Sequence, residues 1–157
     1  MANPSNCTFE AHNTSPVDSG IVFGIMPWNF PYWQVFRFID PSIMAGNTCI
    51  LKHASNVSGC ALLIEKLIHS VTKHKNIFNT LVISSSQVEA IIKNKHVKAV
   101  TLTGSEFAGS EVAMKAGKEI KKTVLELGGS DCFIVLDDAN INKAAKTAIT
   151  ARFLNTG

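Results

Sequence analysis

The sequence is poor in the features that mark specialised protein classes. Its four cysteines, Cys7, Cys49, Cys60 and Cys132, form no CxxC pair and have no zinc-finger spacing. Cys49 falls in a strand pattern and Cys60 on the apolar face of a helix pattern, where both read as small buried hydrophobes in a reducing compartment. No metal centre is expected. Charged residues make up 17% and hydrophobic residues 46%, which excludes a disordered chain. The net charge of +3 is mild. Lysines gather at Lys93, Lys95, Lys98 and at Lys118, Lys121, Lys122 without interleaved aromatics, so they read as a solvated face and no nucleic-acid partner is expected. No apolar run approaches the ~18 residues of a membrane helix. Met1 to Ser15 is polar and lacks the apolar core of a signal peptide. These absences point to a cytoplasmic protein with no membrane partner. No internal repeat is visible.

What is present is a regular alternation of short apolar runs and amphipathic stretches. Strands are expected at Ile21–Met26, Thr48–Lys52, Thr80–Ile83, Ala99–Thr103, Lys122–Leu127 and Cys132–Leu136. Between them, helices are expected from Tyr32 towards Ala45 with an interruption at Pro41, and from Val57 to Val71. Others are expected after a Ser86/Glu89 capping box, from Gly104-Ser105 to about Gly117, and after a cap at Asn140. The Val57–Val71 stretch is the clearest, because Val57, Cys60, Ala61, Ile64, Leu67, Ile68 and Val71 share one helical face. This order predicts an α/β fold with a doubly wound, mostly parallel sheet. Ligands of such sheets sit at the carboxyl ends of the strands. The unusual residues lie there: Trp28-Asn29, Lys52 to Ser55, Gly104-Ser105 and Glu126 to Gly128.

The stretch Val124-Leu125-Glu126-Leu127-Gly128-Gly129 places a carboxylate in an apolar run. Such a group turns to solvent, finds a partner, or acquires a shifted pKa and does proton work. Gly104-Ser105 opens a helix, where free N–H groups favour phosphate, or where Ser simply caps. The dinucleotide fingerprint GxGxxG is missing, and Ser110 stands where a Walker lysine would be. Lys52 can reach a ribose or a phosphate, or remain a surface charge. Asn29 can donate to a developing oxyanion, or satisfy its own turn. Trp33 and Arg37 share a helical face, either as a packed pair or as a carboxylate clamp.

Met26-Pro27-Trp28-Asn29-Phe30-Pro31, Leu51-Lys52-His53-Ala54, Thr103-Gly104-Ser105 and Leu125-Glu126-Leu127-Gly128-Gly129 together resemble, in order and spacing, the aldehyde dehydrogenase superfamily. Lys52-His53-Ala54-Ser55, with Trp33 and Arg37, is similar to the bacterial succinate-semialdehyde members. The resemblance implies a Rossmann-like cofactor domain and NAD(P)-dependent oxidation of an aldehyde, succinate semialdehyde, to the acid. It implies Asn29 as oxyanion donor and Glu126 as the base that activates water. Lys52, Gly104 and Ser105 would hold the dinucleotide, Trp28, Leu127 and Gly128 would line its nicotinamide, and Trp33 and Arg37 would meet the substrate. NAD-preferring members carry Glu where this chain has Ser55, so NADP is the implied cofactor and NAD the alternative. The implied divisions are an irregular or extended arm over 1–19, a partial dinucleotide-binding domain over 20–128, and the start of a catalytic domain over 129–157. The family's nucleophilic Cys would follow Asn155-Thr156-Gly157. The chain is therefore expected to be the middle of a longer, homo-oligomeric enzyme and inactive alone. A non-catalytic nucleotide-binding or structural remnant and a broad-specificity aldehyde dehydrogenase are the alternatives. Lys52, Ser105 and Glu126 are expected around one shared crevice.

Overall fold

In a computed structural model of the chain, residues 20–154 are described, so the arm expected over 1–19 and the Asn155-Thr156-Gly157 end lie outside the described residues. These residues divide into two compact units, one ending at Leu127 and one starting at Gly128.

The first unit is a five-stranded, all-parallel sheet. In chain order its elements are β1 (Ile21–Met26), α1 (Trp33–Met44), β2 (Thr48–His53), α2 (Ser58–Val71), β3 (Phe78–Thr80), α3 (Val88–Lys93), β4 (Val97–Thr103), α4 (Glu106–Lys118) and β5 (Lys122–Glu126). The spatial order is β3-β2-β1-β4-β5, so the chain winds outward from β1 to one edge and then crosses to the other side of β1. Strand alternation separates two cores. Met26, Cys49, Leu51 and Phe78 pack under Val35, Phe38 and Ile39 of α1 and Ala61 and Ile64 of α2. Phe23, Val97, Val100 and Leu102 pack under Val88 and Ile92 of α3 and Val112 and Ala116 of α4. The fold is thus the expected doubly wound α/β sheet.

Four local expectations are corrected. Helix α1 runs unbroken through Pro41. Pro41 removes one backbone N–H, but it is exposed, so water can satisfy the carbonyl it leaves free. The third strand is Phe78–Thr80, not Thr80–Ile83, because fully buried Phe78 anchors it opposite Cys49. The capping box is Ser84/Gln87 rather than Ser86/Glu89, with the Ser84 N–H donating to Gln87 Oε1 at 3.0 Å. Cys132–Leu136 is not a strand, since no segment among the described residues pairs with it, and an extended backbone becomes a strand only by pairing.

The second unit holds α5 (Ile141–Phe153). Asn140 caps it as expected, its Oδ1 accepting the Lys143 N–H at 3.0 Å. No described helix is long and apolar enough to cross a membrane.

Candidate active site

The parallel register brings the strand ends together. Met26 lies opposite His53, and Thr103 opposite Glu126. The loops carrying Trp28-Asn29, Lys52 to Ser55, Gly104-Ser105 and Glu126-Leu127 therefore leave one edge of the sheet, next to the β1/β4 switch point. The expectation of a single crevice is nevertheless incorrect. Side chains alternate along a strand. Lys52 points to the α3/α4 face and Glu126 to the α1 face, and they line separate grooves.

The groove on the α1 face has a volume of about 310 Å³ and is walled by Gln34, Arg37 and Phe38 of α1, by Thr101 and Thr103 of β4, and by Val124 and Glu126 of β5. Arg37 Nη2 donates to Glu126 Oε1 at 2.7 Å. The two side chains are 49% and 47% exposed, so this is a wet ion pair. Sequence reasoning gave the pair two separate tasks; the structure joins them. Trp33 is exposed one helical turn before Arg37. Gln34 Oε1 is buried without a hydrogen-bond partner among the described residues, which leaves an acceptor at the groove wall in want of a donor.

The turn after β1 is held from beneath. Phe30 sits at φ 48°, a left-handed conformation that non-glycine residues rarely adopt. His53, 5% exposed at the end of β2, spans the base of this turn. Its Nε2 lies 2.9 Å from Pro31 O and its Nδ1 3.1 Å from Met26 O. The Ala54 N–H also reaches Nδ1 at 3.1 Å and Met26 O at 3.0 Å. The Nε2–H tautomer satisfies this set, because Nε2 donates to Pro31 O while Ala54 N–H serves both acceptors. Trp28 and Asn29 are exposed on the turn so fixed. His53 was missed as a site residue. Its signal was a titratable side chain at the inward-facing end of a buried strand.

The groove on the opposite face has a volume of about 380 Å³, and Ile25, Lys52, Ser85, Val88, Phe107 and Glu111 are among its walls. Here α4 begins. Ser105 is its cap, with Oγ accepting the Ala108 N–H at 3.2 Å. Gly104 donates its N–H to Glu126 O at 2.9 Å, so this amide ties β4 to β5 and is not free for a phosphate. Gly109, a second residue missed in sequence, gives room to Leu127: a Cβ there would fall 2.4 Å from Leu127 Cδ2. Ser55 is exposed and lines a third, hydroxyl-rich groove of about 250 Å³ with Ser58, Thr80 and Ser84. Gly128 begins the second unit and is exposed. A mononucleotide-sized groove, a basic side chain and the open N-terminus of a long helix on one face suit a dinucleotide, and the exposed α1 groove on the other suits a small polar substrate.

The family model described as "Aldehyde dehydrogenase family" matches residues 2–157. The chain belongs to the aldehyde dehydrogenase family. Over 138 residues this aldehyde dehydrogenase chain is 54% identical to the succinate-semialdehyde dehydrogenase (NADP(+)) of Mycobacterium avium, covering 88% of this chain and 29% of that protein. It is 50% identical, over the same length, to a probable succinate-semialdehyde dehydrogenase (NADP(+)) of Synechocystis, covering 88% of this chain and 30% of the relative. The succinic semialdehyde dehydrogenase of Streptococcus pyogenes, solved with NADP+ as the cofactor, superposes with a TM-score of 0.76 at 43% identity, covering 82% of this chain and 28% of that one. The aldehyde dehydrogenase chain thus spans about three tenths of the length of these relatives.

Proposed function

We propose that this chain carries the cofactor cradle, the oxyanion donor and the water-activating base of an NADP-dependent succinate-semialdehyde dehydrogenase. The observation that carries this reading is the pair of grooves opening at one carboxyl edge, with Lys52 and the first turn of α4 on one side and Arg37 and Glu126 on the other. When bound, the dinucleotide supplies hydride acceptance. Lys52 and the α4 N-terminus at Ser105 hold its anionic and ribose groups. Trp28, Leu127 and Gly104 line its approach, Gly104 through its lack of a side chain rather than its N–H. Asn29 donates to the carbonyl oxygen as negative charge develops there, and the His53-braced turn fixes that donor beforehand. Glu126 takes a proton from water in the hydrolytic step. Trp33 and Arg37 receive the substrate, Arg37 meeting its distal carboxylate.

The described cysteines do not supply the nucleophile on this reading. Burial pushes the Cys49 thiol up to about 11, and a thiol rather than a thiolate attacks poorly. Cys60 lies against the Tyr32 hydroxyl, whose pKa it raises. Cys132 is exposed but lies outside the motifs of the site, and on this reading the chain binds without turning over by itself. Residues 20–128 form the partial dinucleotide-binding domain and 129–157 the start of the catalytic one.

Titration calorimetry tests the cofactor assignment. NADP binds more tightly than NAD, and Ser55→Glu, whose carboxylate would repel a 2′-phosphate, reverses the order by roughly tenfold, about 1.4 kcal/mol. A wild-type preference for NAD, or no binding of either dinucleotide, refutes it. Steady turnover of succinate semialdehyde with NADP refutes the assignment of the cysteines.

A further inference from the structure

The Arg37–Glu126 ion pair joins the group assigned to the substrate's carboxylate with the group assigned to water activation. We propose that Glu126 is also a specificity-determining residue: it is the resident carboxylate of the Arg37 subsite, and a carboxylated substrate frees it by displacement. This rests on the reading of Arg37 as the residue that meets the substrate's distal carboxylate.

The geometry carries the exchange. Contact is through one nitrogen and one oxygen, Arg37 Nη2 to Glu126 Oε1 at 2.7 Å. A guanidinium has five donors in a planar fork, and a carboxylate that engages two of them in parallel is held better than one that engages a single donor. Both partners are half exposed, where an ion pair is weak and readily replaced. Thr103, whose hydroxyl can donate to an arriving carboxylate, walls the same groove. With Oε1 held in a hydrogen bond by the guanidinium, the Glu126 carboxylate is fixed towards Arg37 and cannot turn to an approaching water. An aldehyde without a second carboxylate leaves that bond in place. One with a distal carboxylate occupies Arg37 and releases the base at the moment it is needed. Selection for the carboxylated aldehyde then acts on the hydrolytic step as well as on binding.

The test is titration calorimetry of the full chain with succinate, which offers the carboxylate without the reactive aldehyde. Wild type, Glu126→Gln, Arg37→Gln and Asp40→Asn are compared; Asp40 is an exposed carboxylate one helical turn beyond Arg37. Glu126→Gln tightens succinate about fivefold, which is about 1 kcal/mol. Asp40→Asn changes it less than about twofold, and Arg37→Gln abolishes binding. The substituted side chains are all on the surface, and far-UV circular dichroism verifies each fold. If Arg37→Gln abolishes binding but Glu126→Gln fails to tighten it, or Asp40→Asn tightens it equally, displacement is overturned while Arg37 keeps its proposed role. If Arg37→Gln binds as wild type does, or no variant binds succinate, displacement and the proposed role of Arg37 are both overturned.

Discussion

A methyl group at position 24 would land 2.3 Å from Phe38 Cζ, with Cε1 and Cε2 at 2.6 and 2.8 Å. Gly24 is the strand residue over which α1 rests, and the Phe38 ring lies against its bare backbone. Gly24→Ala therefore forces the ring, and α1 with it, away from the sheet by roughly an ångström. Overpacking of this kind costs about 1–3 kcal/mol. With a urea slope of about 2 kcal/mol/M, the unfolding midpoint falls by about 1 M. The three crowded atoms are the ones leucine lacks. Phe38→Leu alone costs roughly 1 kcal/mol, but in its presence Gly24→Ala becomes nearly free, giving a coupling of about 1–3 kcal/mol in a double-mutant cycle. Arg37 adjoins Phe38, so the single variant also draws Arg37 away from Glu126 and loosens their ion pair, and the double variant restores it. Additivity of the two substitutions within about 0.5 kcal/mol would show that the ring does not set the height of α1.

His53→Leu removes the group that links the Ala54 N–H to the Pro31 carbonyl and leaves that carbonyl without its donor; a loss of about 1–3 kcal/mol in urea unfolding is expected, and a loss under about 0.5 would contradict the brace. Ile120 is 94% exposed at φ 54°, in a helix-ending motif closed by Lys121 N–H to Ala116 O and Ile120 N–H to Gly117 O. Ile120→Gly relieves the left-handed strain and raises stability by roughly 0.5–1 kcal/mol, whereas a lowered midpoint would count against strain there. Burial raises the Cys49 thiol from 9.0 to about 11, so its stabilising contribution is complete below about pH 9 and is lost as pH climbs through 11. Urea midpoints between pH 8 and 11 should fall more steeply for wild type than for Cys49→Val, and parallel curves would disprove the assignment.

Sequence alone sufficed where one signal dominated. The apolar runs of β1 and β2 bury a face against the helices as their pattern implies; of the α2 stripe only Ala61 and Ile64 are buried, with Ile68 packed beside them, while Leu67 and Val71 are exposed. It failed where tertiary contacts decide. Residues 132–136 have the composition of a strand, but a strand is a pairing and no described residue pairs with them. The third strand shifted because Phe78, just before the expected start, fills the core better than Val82 could. Pro41 read as a break because its exposure could not be foreseen. At the site, the motifs located the strand ends correctly. They gave no sign that Arg37 would hold Glu126, since 89 residues separate the two. Nor did they disclose His53 or Gly109, whose roles are to brace one loop and to seat Leu127.

The pleat of β2 and β5 gives the two grooves separate walls. On the proposed reading, substitutions near Lys52 and Ser55 that retune nucleotide choice need not disturb acid recognition at Arg37, so the two preferences can drift independently through evolution. The same arrangement is brittle to length changes. One residue inserted within Lys122–Glu126 would rotate the carboxylate through the sheet, handing it to the nucleotide side and leaving the guanidinium alone.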